Sequence, residues 1–502
     1  MKTEAPRVLI VTPEVSYLPH EMCDMAVYLH AKAGGLGDVS AALIRSLYEQ
    51  GVDVLVALPD YRTLYNRYLP ERLKRRLQTV MAEIPADRLH LAVDRAFFYR
   101  HSVYSMSSEE NLKIACAFQR EIIHHIVPRV KPDLIHCNDW TTGLIPAMAR
   151  QIGIPCLFTI HNLHTLRCPL EQIEDRGIDT AEFWPNLYFD DMPGSHAEAF
   201  SPNRCDFLAS AIFAAHFINT VSPTFLLEIA GGRHHFVEPR IRLEIANKVA
   251  AGCAAGILNA PPPSYDPGLD EALAVAYGPE NHRLAKQQNK LALQRRLGLE
   301  ENPRAPVFFW PSRLDPIQKG CGLLLEIFYR VVSQYWGEVM QMVFVADGPD
   351  RVHFEHVIQR FNLQSRAAIQ GFDETLSRLA FAGSDFVLMP SSFEPCGLPQ
   401  MIGNIYGALP VAHDTGGLHD SVQPLNVDAG DGNGFLFEVF DANGLAWAIG
   451  EAMQFYRRSE DVKEKTILRI MRESRQRFNF ANTAARYIEV YERMLQRPLI
   501  PI

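Results

Sequence analysis

Lys32 stands two residues ahead of the pair Gly34 and Gly35 in KAGGLGDVSAALIRSLYEQG, where apolar residues recur at Val39, Ala42, Leu43 and Leu47. That spacing predicts an amphipathic helix whose first turn offers bare N–H groups beside a cation, which suits a phosphate. A helix start that uses glycine only for close packing has the same pattern, and the pattern alone leaves the two even. It matches the dinucleotide fingerprint poorly and contains no Walker-type loop. Arg313 and Lys319 follow the apolar run VFFWP in PSRLDPIQKG, so both can reach one anion from one strand end. A departing diphosphate needs such neutralisation. Two solvated surface charges look identical, and taken alone that plainer reading is favoured. Glu394 lies between Pro390 and Pro395 in MPSSFEPCGLPQ, and Gly416 and Gly417 open another helix in HDTGGLHDSV. A carboxylate that grips sugar hydroxyls beside free N–H donors would make a sugar-nucleotide site, although a charged loop and a helix cap account for this stretch more simply. Cys396 has no partnering His/Asn pattern and reads as a small buried thiol. Asp139 in HCNDW and His161 in FTIHN each follow an apolar strand, at the edge that faces the crevice of an open α/β sheet. A histidine there is more often a structural residue. No HExxH, paired-carboxylate or His/Cys spacing suggests a metal.

The elements that position these residues are short β-branched runs alternating with longer amphipathic segments. RVLIVTP, VDVLVALP, DLIHCND and CLFTIHN occupy the first half, and VFFWPSRL, MQMVFVADG, AAIQGF, FVLMPS and LPVAHDTGG the second. This is the rhythm of parallel α/β units. It breaks in an Ala-, Pro- and Gly-rich stretch over residues 250–282, which places a domain boundary near Ala255, and the chain ends in an amphipathic segment, TAARYIEVYERMLQ. Residues 14–31 form a polar and aromatic insert. With 502 residues, 47% hydrophobic and 21% charged, the composition excludes disordered and fibrous classes. A net charge of −9 gives no global field for nucleic acid or an anionic membrane. The nine cysteines form no CxxC pair, which favours a reducing cytoplasm over a disulfide frame, and no signal peptide or membrane helix is expected.

Taken in order, RVLIVTPEV, KAGGLGDVSAAL, PDLIHCNDWTTGL, FTIHNL, NTVSPTF, GILN, NKLALQRRLGL, SRLDPIQKG, FVLMPSSFEPCGLPQ, YGALPVAHDTGGLHDSV and GNGFLFE resemble the bacterial glycogen synthase and plant starch synthase family. The resemblance spans nearly the whole chain, and KxGGL with FEPCGL is specific in combination. It implies a GT-B fold, with two Rossmann-like domains facing across a deep cleft and a last helix crossing back to the first. The domains would be residues 1–255 and 256–480, with 481–502 as the returning helix. It implies a retaining glucosyltransferase that moves glucose from ADP-glucose to the non-reducing end of an α-1,4-glucan, without metal or cofactor. Carried over by motif, Lys32, Gly34 and Gly35 would lie near the donor phosphate and glucan end. Arg313 and Lys319 would neutralise the departing diphosphate, and Thr415, Gly416 and Gly417 would donate N–H bonds to it. Glu394 would hold the transferred glucose, Asp139 and His161 would complete its pocket, and Phe372 would flank the nucleobase. Asn259, Cys396, Gly397 and Leu398 join the substrate-binding set.

The chain departs from that pattern in places. After Asn259, where relatives continue Gly-Ile-Asp, it reads Ala260, Pro261, Pro262 and Pro263, and prolines that fix φ and lack an N–H predict a stiff extended strut. Ser392 and Ile405 stand where arginine is common. Two other readings stay open at this stage: a GT-B glucosyltransferase with another nucleotide donor or a small acceptor, and a weakly active glucan- or nucleotide-binding homologue.

Overall fold

The structure, a computed structural model, describes residues 5–22, 26–67, 69, 88–200 and 202–500. The chain forms two compact units: Met1–Val221, Leu226–Ile257 and Phe480–Ile502 make unit 1, and Ser222–Phe225 with Leu258–Asn479 make unit 2.

Unit 1 is built on a parallel seven-stranded sheet. Its strands are β1 (Arg7–Val11), β2 (Asp53–Pro59), β3 (Leu89–Ala92), β4 (Leu134–Asn138), β5 (Cys156–Ile160), β8 (Phe217–Thr220) and β9 (Ala254–Gly256), ordered β3-β2-β1-β4-β5-β8-β9. A short antiparallel pair, β6 (Arg167–Pro169) and β7 (Arg204–Asp206), stands apart from it. The apolar runs at β1, β4 and β5 are buried almost throughout, as strands covered by helices on both faces must be. Leu9 pairs with Leu55 on one side and Ile135 on the other. The order reverses between β1 and β4, and their carboxyl ends form a topological switch point, where open α/β sheets bind ligands.

Unit 2 repeats the plan with six parallel strands: β10 (Val307–Trp310), β11 (Gln341–Val345), β12 (Ala367–Gln370), β13 (Phe386–Met389), β14 (Leu409–His413) and β15 (Phe435–Phe437), ordered β12-β11-β10-β13-β14-β15. Alternate side chains serve opposite cores: Phe308, Trp310, Met342 and Phe344 enter one, and Val307, Phe309, Val343 and Val345 the other. Its switch point lies between β10 and β13. Both units are Rossmann-like, and among the described residues no helix is long and apolar enough to cross a membrane.

The last helix, Phe480–Leu495, belongs to unit 1. Its buried residues Phe480, Thr483, Ala484, Tyr487, Val490 and Tyr491 recur at helical spacing, so one stripe needs a partner. That partner is the sheet: Tyr491 Oη and His136 Nδ1 share a hydrogen bond of 2.7 Å, and Asn219 Nδ2 donates to Tyr487 Oη at 2.8 Å. His136 is completed by Thr159 Oγ1 at 2.7 Å, and burial holds its pKa down at about 3, so it is neutral. A Tyr491→Phe variant leaves the Nδ1 of a buried imidazole unpaired, a loss of about 1–3 kcal/mol. Its melting temperature should therefore fall by several degrees with activity at low temperature retained, whereas an unchanged melting curve would refute this docking.

After Asn259 the chain is extended only as far as Pro262, because Tyr265 N–H donates to Pro262 O at 2.9 Å and closes a turn. Ala260, Pro261 and Pro262 are buried. The strut expected through Pro263 is thus shorter than its prolines suggest.

Candidate active site

Unit 1 brings its residues to the carboxyl ends of β1, β4 and β5. The insert after β1 leaves and returns through one antiparallel bridge, in which Val15 and Ala31 exchange N–H···O bonds of 2.9 Å, so Glu14 and Lys32 become neighbours. Buried Glu14 then accepts from the backbone N–H of Ala33 at 2.7 Å and Gly34 at 3.1 Å through Oε2, and from Tyr104 Oη at 2.7 Å through Oε1. The Gly34 N–H expected to be bare is therefore donated within the protein. Lys32 Nζ lies 2.5 Å from Asp38 Oδ2, in the first turn of the helix Gly35–Glu49.

The two glycines at this turn are not there for packing. A Cβ built on Gly34 or Gly35 would meet nothing within 4 Å. Neither has the positive φ that only glycine adopts easily. The fold itself does not require glycine at these positions, and their bare backbone is open to the approach of a ligand. Gly35→Ala should accordingly keep or slightly raise stability, by about 0.4–1 kcal/mol. At the same time kcat/KM should fall by roughly 10-fold or more. Melting and steady-state kinetics on one preparation check this, and a fully active variant would return Gly35 to a packing role.

Asp139 follows β4 with φ +58°, a conformation few non-glycine residues adopt, and it is buried. Its Oδ1 accepts from His161 N at 2.8 Å and its Oδ2 from Asn162 Nδ2 at 2.7 Å, which ties the end of β4 to the turn after β5. Burial pushes its pKa up to about 7 against the pull of those donors, and the nearby Glu14 charge adds to the rise. His161 is held by burial at about 3 and is neutral. Asn138 Nδ2 donates to Val11 O, so its Oδ1 is the acceptor facing His161 Nε2 at 2.9 Å. That assigns the proton of His161 to Nε2 and leaves Nδ1 as an acceptor.

Unit 2 gathers its set at the carboxyl ends of β10, β13 and β14. Lys319 Nζ lies 2.6 Å from Glu394 Oε2, and Ser391 Oγ donates to the same oxygen at 3.0 Å. Both partners are largely buried, with side-chain exposures of 13% and 8%, so the pair is neither solvated nor incidental. Glu394 Oε1 is left to accept from a ligand. The loops are locked together by glycine: Gly320, at φ +72°, approaches Pro390 O so closely that a Cβ would lie 1.9 Å from it. Gly416 and Gly417 would likewise strike Glu394 O at 2.1 Å and Cys396 O at 2.0 Å. Here, unlike at Gly34 and Gly35, packing does demand glycine.

Gly417 N–H donates to Glu394 O at 2.8 Å and Thr415 N–H to His413 O at 3.0 Å, so these two amides serve the loop rather than an open anion site. His413 Nδ1 in turn bonds Ser391 O at 2.8 Å. Cys396 is a buried thiol pushed up to about 12 and met by the Asn259 backbone N–H, which does not suit a nucleophile. Asn259 Oδ1 is buried with no hydrogen-bond partner among the described residues. Gly397, at φ +71°, precedes Leu398, the cap of the helix Pro399–Ile405. Arg313 is exposed after β10 without a side-chain partner among the described residues. Asp347 pins its loop and that of Phe372, accepting from Leu314 N at 2.9 Å and, through Oδ2, from Phe372 N at 3.0 Å. Phe372 is 64% exposed, which leaves its aromatic side chain open to a flat ligand.

Glu14, Tyr104, Asn138, Ser391 and His413 complete these constellations without having been singled out by sequence, whereas Asn162, which follows β5 beside His161, was legible there as a polar group at a strand end. Glu14 had a faint signal, since it lies three residues past a buried strand. Tyr104 had none.

The family models match in the same two places: a starch synthase catalytic domain over residues 7–237 and a glycosyl transferases group 1 domain over residues 305–454. The glycogen synthase of Geobacillus thermodenitrificans is 32% identical over 93% of this chain and 96% of its own. The chain belongs to the glycogen synthase family. That of Moorella thermoacetica is also 32% identical, over 98% of this chain and 97% of its own. Among solved structures, the catalytic domain of starch synthase IV from Arabidopsis thaliana, bound to ADP and acarbose, matches with a TM-score of 0.77 and 25% identity, covering 99% of this chain and 100% of that one. A sucrose-phosphate synthase from Thermosynechococcus elongatus shares the fold at a TM-score of 0.57 and 17% identity, over 98% and 99% of the two chains. This member of the glycogen synthase family is a glycosyltransferase with the GT-B fold.

Proposed function

We propose that the protein extends an α-1,4-glucan, transferring glucose from ADP-glucose to its non-reducing end with retention of configuration. The observation that carries this reading is the buried Lys319–Glu394 pair, with Arg313 at the same strand edge, in a chain that matches glycogen synthases along nearly its whole length. Arg313 and Lys319 neutralise the diphosphate as its bond to glucose C1 breaks, and Glu394 Oε1 accepts from a glucose hydroxyl; in unit 1, His161 Nδ1 is the acceptor offered to a sugar hydroxyl. Phe372 offers its exposed face to the adenine. The acceptor hydroxyl forms the new bond to C1 on the face the diphosphate leaves, and its proton passes to the departing phosphate. The protein supplies position and electrostatics rather than a covalent nucleophile. ADP as the nucleotide follows the starch synthase structure, which holds it. A reducing, cytoplasmic setting suits the eight described cysteines, all free and seven of them buried; Cys23 lies outside the described residues.

The test is incorporation of label from ADP-glucose, UDP-glucose and GDP-glucose by the purified protein, with and without glycogen. Label should enter polymer from ADP-glucose and only with glycogen present. No incorporation, or a preference for another nucleotide, would overturn the reading. Since leaving-group charge is met by Arg313 and Lys319, and no group of three His, Cys, Asp or Glu among the described residues is placed to hold a metal, chelator should leave the rate unchanged. Inhibition by chelator that Mg²⁺ reverses would contradict the metal-free account.

A further inference from the structure

Unit 2 contains a cavity of about 300 Å³ that the transfer reaction does not use. It is walled by the helices His282–Leu297, Ala442–Tyr456 and Glu460–Arg477 and by the residues that lead into β10 and β13. Arg304 lies three residues before β10 and Asp385 immediately before β13. The cavity therefore opens at the amino ends of the strands whose carboxyl ends carry Arg313, Lys319 and Glu394. Four-residue strands at about 3.3 Å per residue separate the two edges by about 13 Å.

Its charge is anomalous. Seven Lys and Arg side chains line it against three carboxylates, on a chain whose net charge is −9. All three carboxylates are already engaged: Asp385 by Lys290 at 2.6 Å, Glu460 by Lys463 at 2.6 Å and Glu464 by Arg283 at 3.1 Å. Arg457 pairs outside the cavity with Glu338 at 2.6 Å. Lys286 is buried among carbonyls, donating to Ser384 O at 2.8 Å and to Ala382 O and Tyr406 O at 3.0 Å. Arg304 and Arg458 remain, exposed, and neither has a carboxylate partner among the described residues. Tyr456 lines the same cavity; its Oη donates to Arg304 O at 3.2 Å and its ring lies 4.5 Å from Lys463 Nζ. Two unpaired guanidiniums in a concave, positively charged site beside an aromatic wall suit a phosphate, which their planar forks can bind bidentately. The volume is that of a small-molecule site.

We propose that this cavity is a second ligand site, which binds a small phosphorylated molecule through Arg304 and Arg458, apart from the donor site. The test uses the full-length protein saturated with ADP, so that the donor site is filled, at fixed ionic strength set with NaCl. Ribose 5-phosphate, inorganic phosphate and ribose are titrated by calorimetry and by melting temperature. Binding of either phosphate compound but not of ribose is expected, and an Arg304→Ala/Arg458→Ala double variant should weaken it at least 10-fold while keeping its affinity for ADP. Tighter binding of ribose 5-phosphate than of phosphate would identify a sugar phosphate as the ligand class, and equal binding the free anion. Because both arginines are exposed, the variant should melt as the wild type does without ligand; Arg458→Glu alone serves as a second probe and should weaken phosphate binding as well. Absence of binding by both phosphate compounds, or undiminished binding in the variants, would overturn the proposal.

Discussion

Replacing Lys319 by alanine should lower kcat by about 100-fold or more, the usual cost of one preorganised contact to developing charge. Two effects combine. The departing diphosphate loses a cation held in place before reaction, and Glu394 is left as a buried carboxylate whose Oε2 keeps only the Ser391 hydroxyl. Breaking a buried pair from one side typically costs about 3–5 kcal/mol, so the single variant should also melt earlier. The two effects separate in a Lys319→Ala/Glu394→Gln double variant, which removes the stranded charge. It should recover much of the lost melting temperature and none of the lost turnover. Affinity for ADP should weaken less than kcat falls, because the contact strengthens as the leaving group gains charge. Near-normal turnover in the single variant would remove Lys319 from the leaving-group contact, and a double variant that regains activity would make the pair purely structural.

Asp139, His161, Arg313, Lys319 and Glu394 were legible because each comes after an apolar run, and parallel sheets present their strand ends to ligands, whereas Lys32, Gly34 and Gly35 were legible as the start of an amphipathic helix. VLIV, LIHCN and FVLM are buried on both sides in the structure, as near-continuous apolar runs imply. What could not be read was which backbone donors remain open. Gly416 and Gly417 resemble a free helix start in sequence, yet the FEPCGL loop lies against them and Gly417 N–H is already donated to Glu394 O. Gly34 and Gly35 look the same in sequence and differ in space, since nothing crowds their missing side chains. The joining of Tyr104 to the loop of Lys32 through Glu14 was hidden for another reason: it forms only because a long insert closes on itself and a segment 90 residues away folds against it. The proline stretch shows the limit of local rules. Fixed φ angles predicted rigidity but not burial, and with Pro262 buried a carboxylate at that position would have to be desolvated.

Asp139 should give the largest effect in unit 1, and one that depends on pH. Its carboxylate joins β4 to the turn after β5 through His161 N and Asn162 Nδ2, so Asp139→Ala frees the segment that carries His161 and should cut kcat by about 100-fold or more. Asp139→Asn keeps the size and removes the charge. In the proposed transfer positive charge develops at glucose C1 as the diphosphate departs, and a buried anion stabilises such charge far better than an amide. With its pKa raised to about 7, Asp139 is mostly protonated at pH 6 and mostly ionised at pH 8, so wild-type kcat should rise through this interval. The Asn variant should be slow and lack that inflection. Stability runs the other way. Unfolded, Asp139 ionises near its ordinary value of about 4, while folded it holds its proton to about 7. Its contribution is therefore fully present below pH 4 and lost as pH rises through 7, so Asp139→Asn should gain melting temperature relative to wild type between pH 5 and 8. His161 and His136, both held near 3, act with the opposite sign and are common to both proteins, so the difference between the two curves isolates Asp139. A wild-type kcat that is flat from pH 6 to 8, or an Asn variant with the wild-type inflection, would show that the carboxylate only positions His161 and carries no charge needed in the reaction.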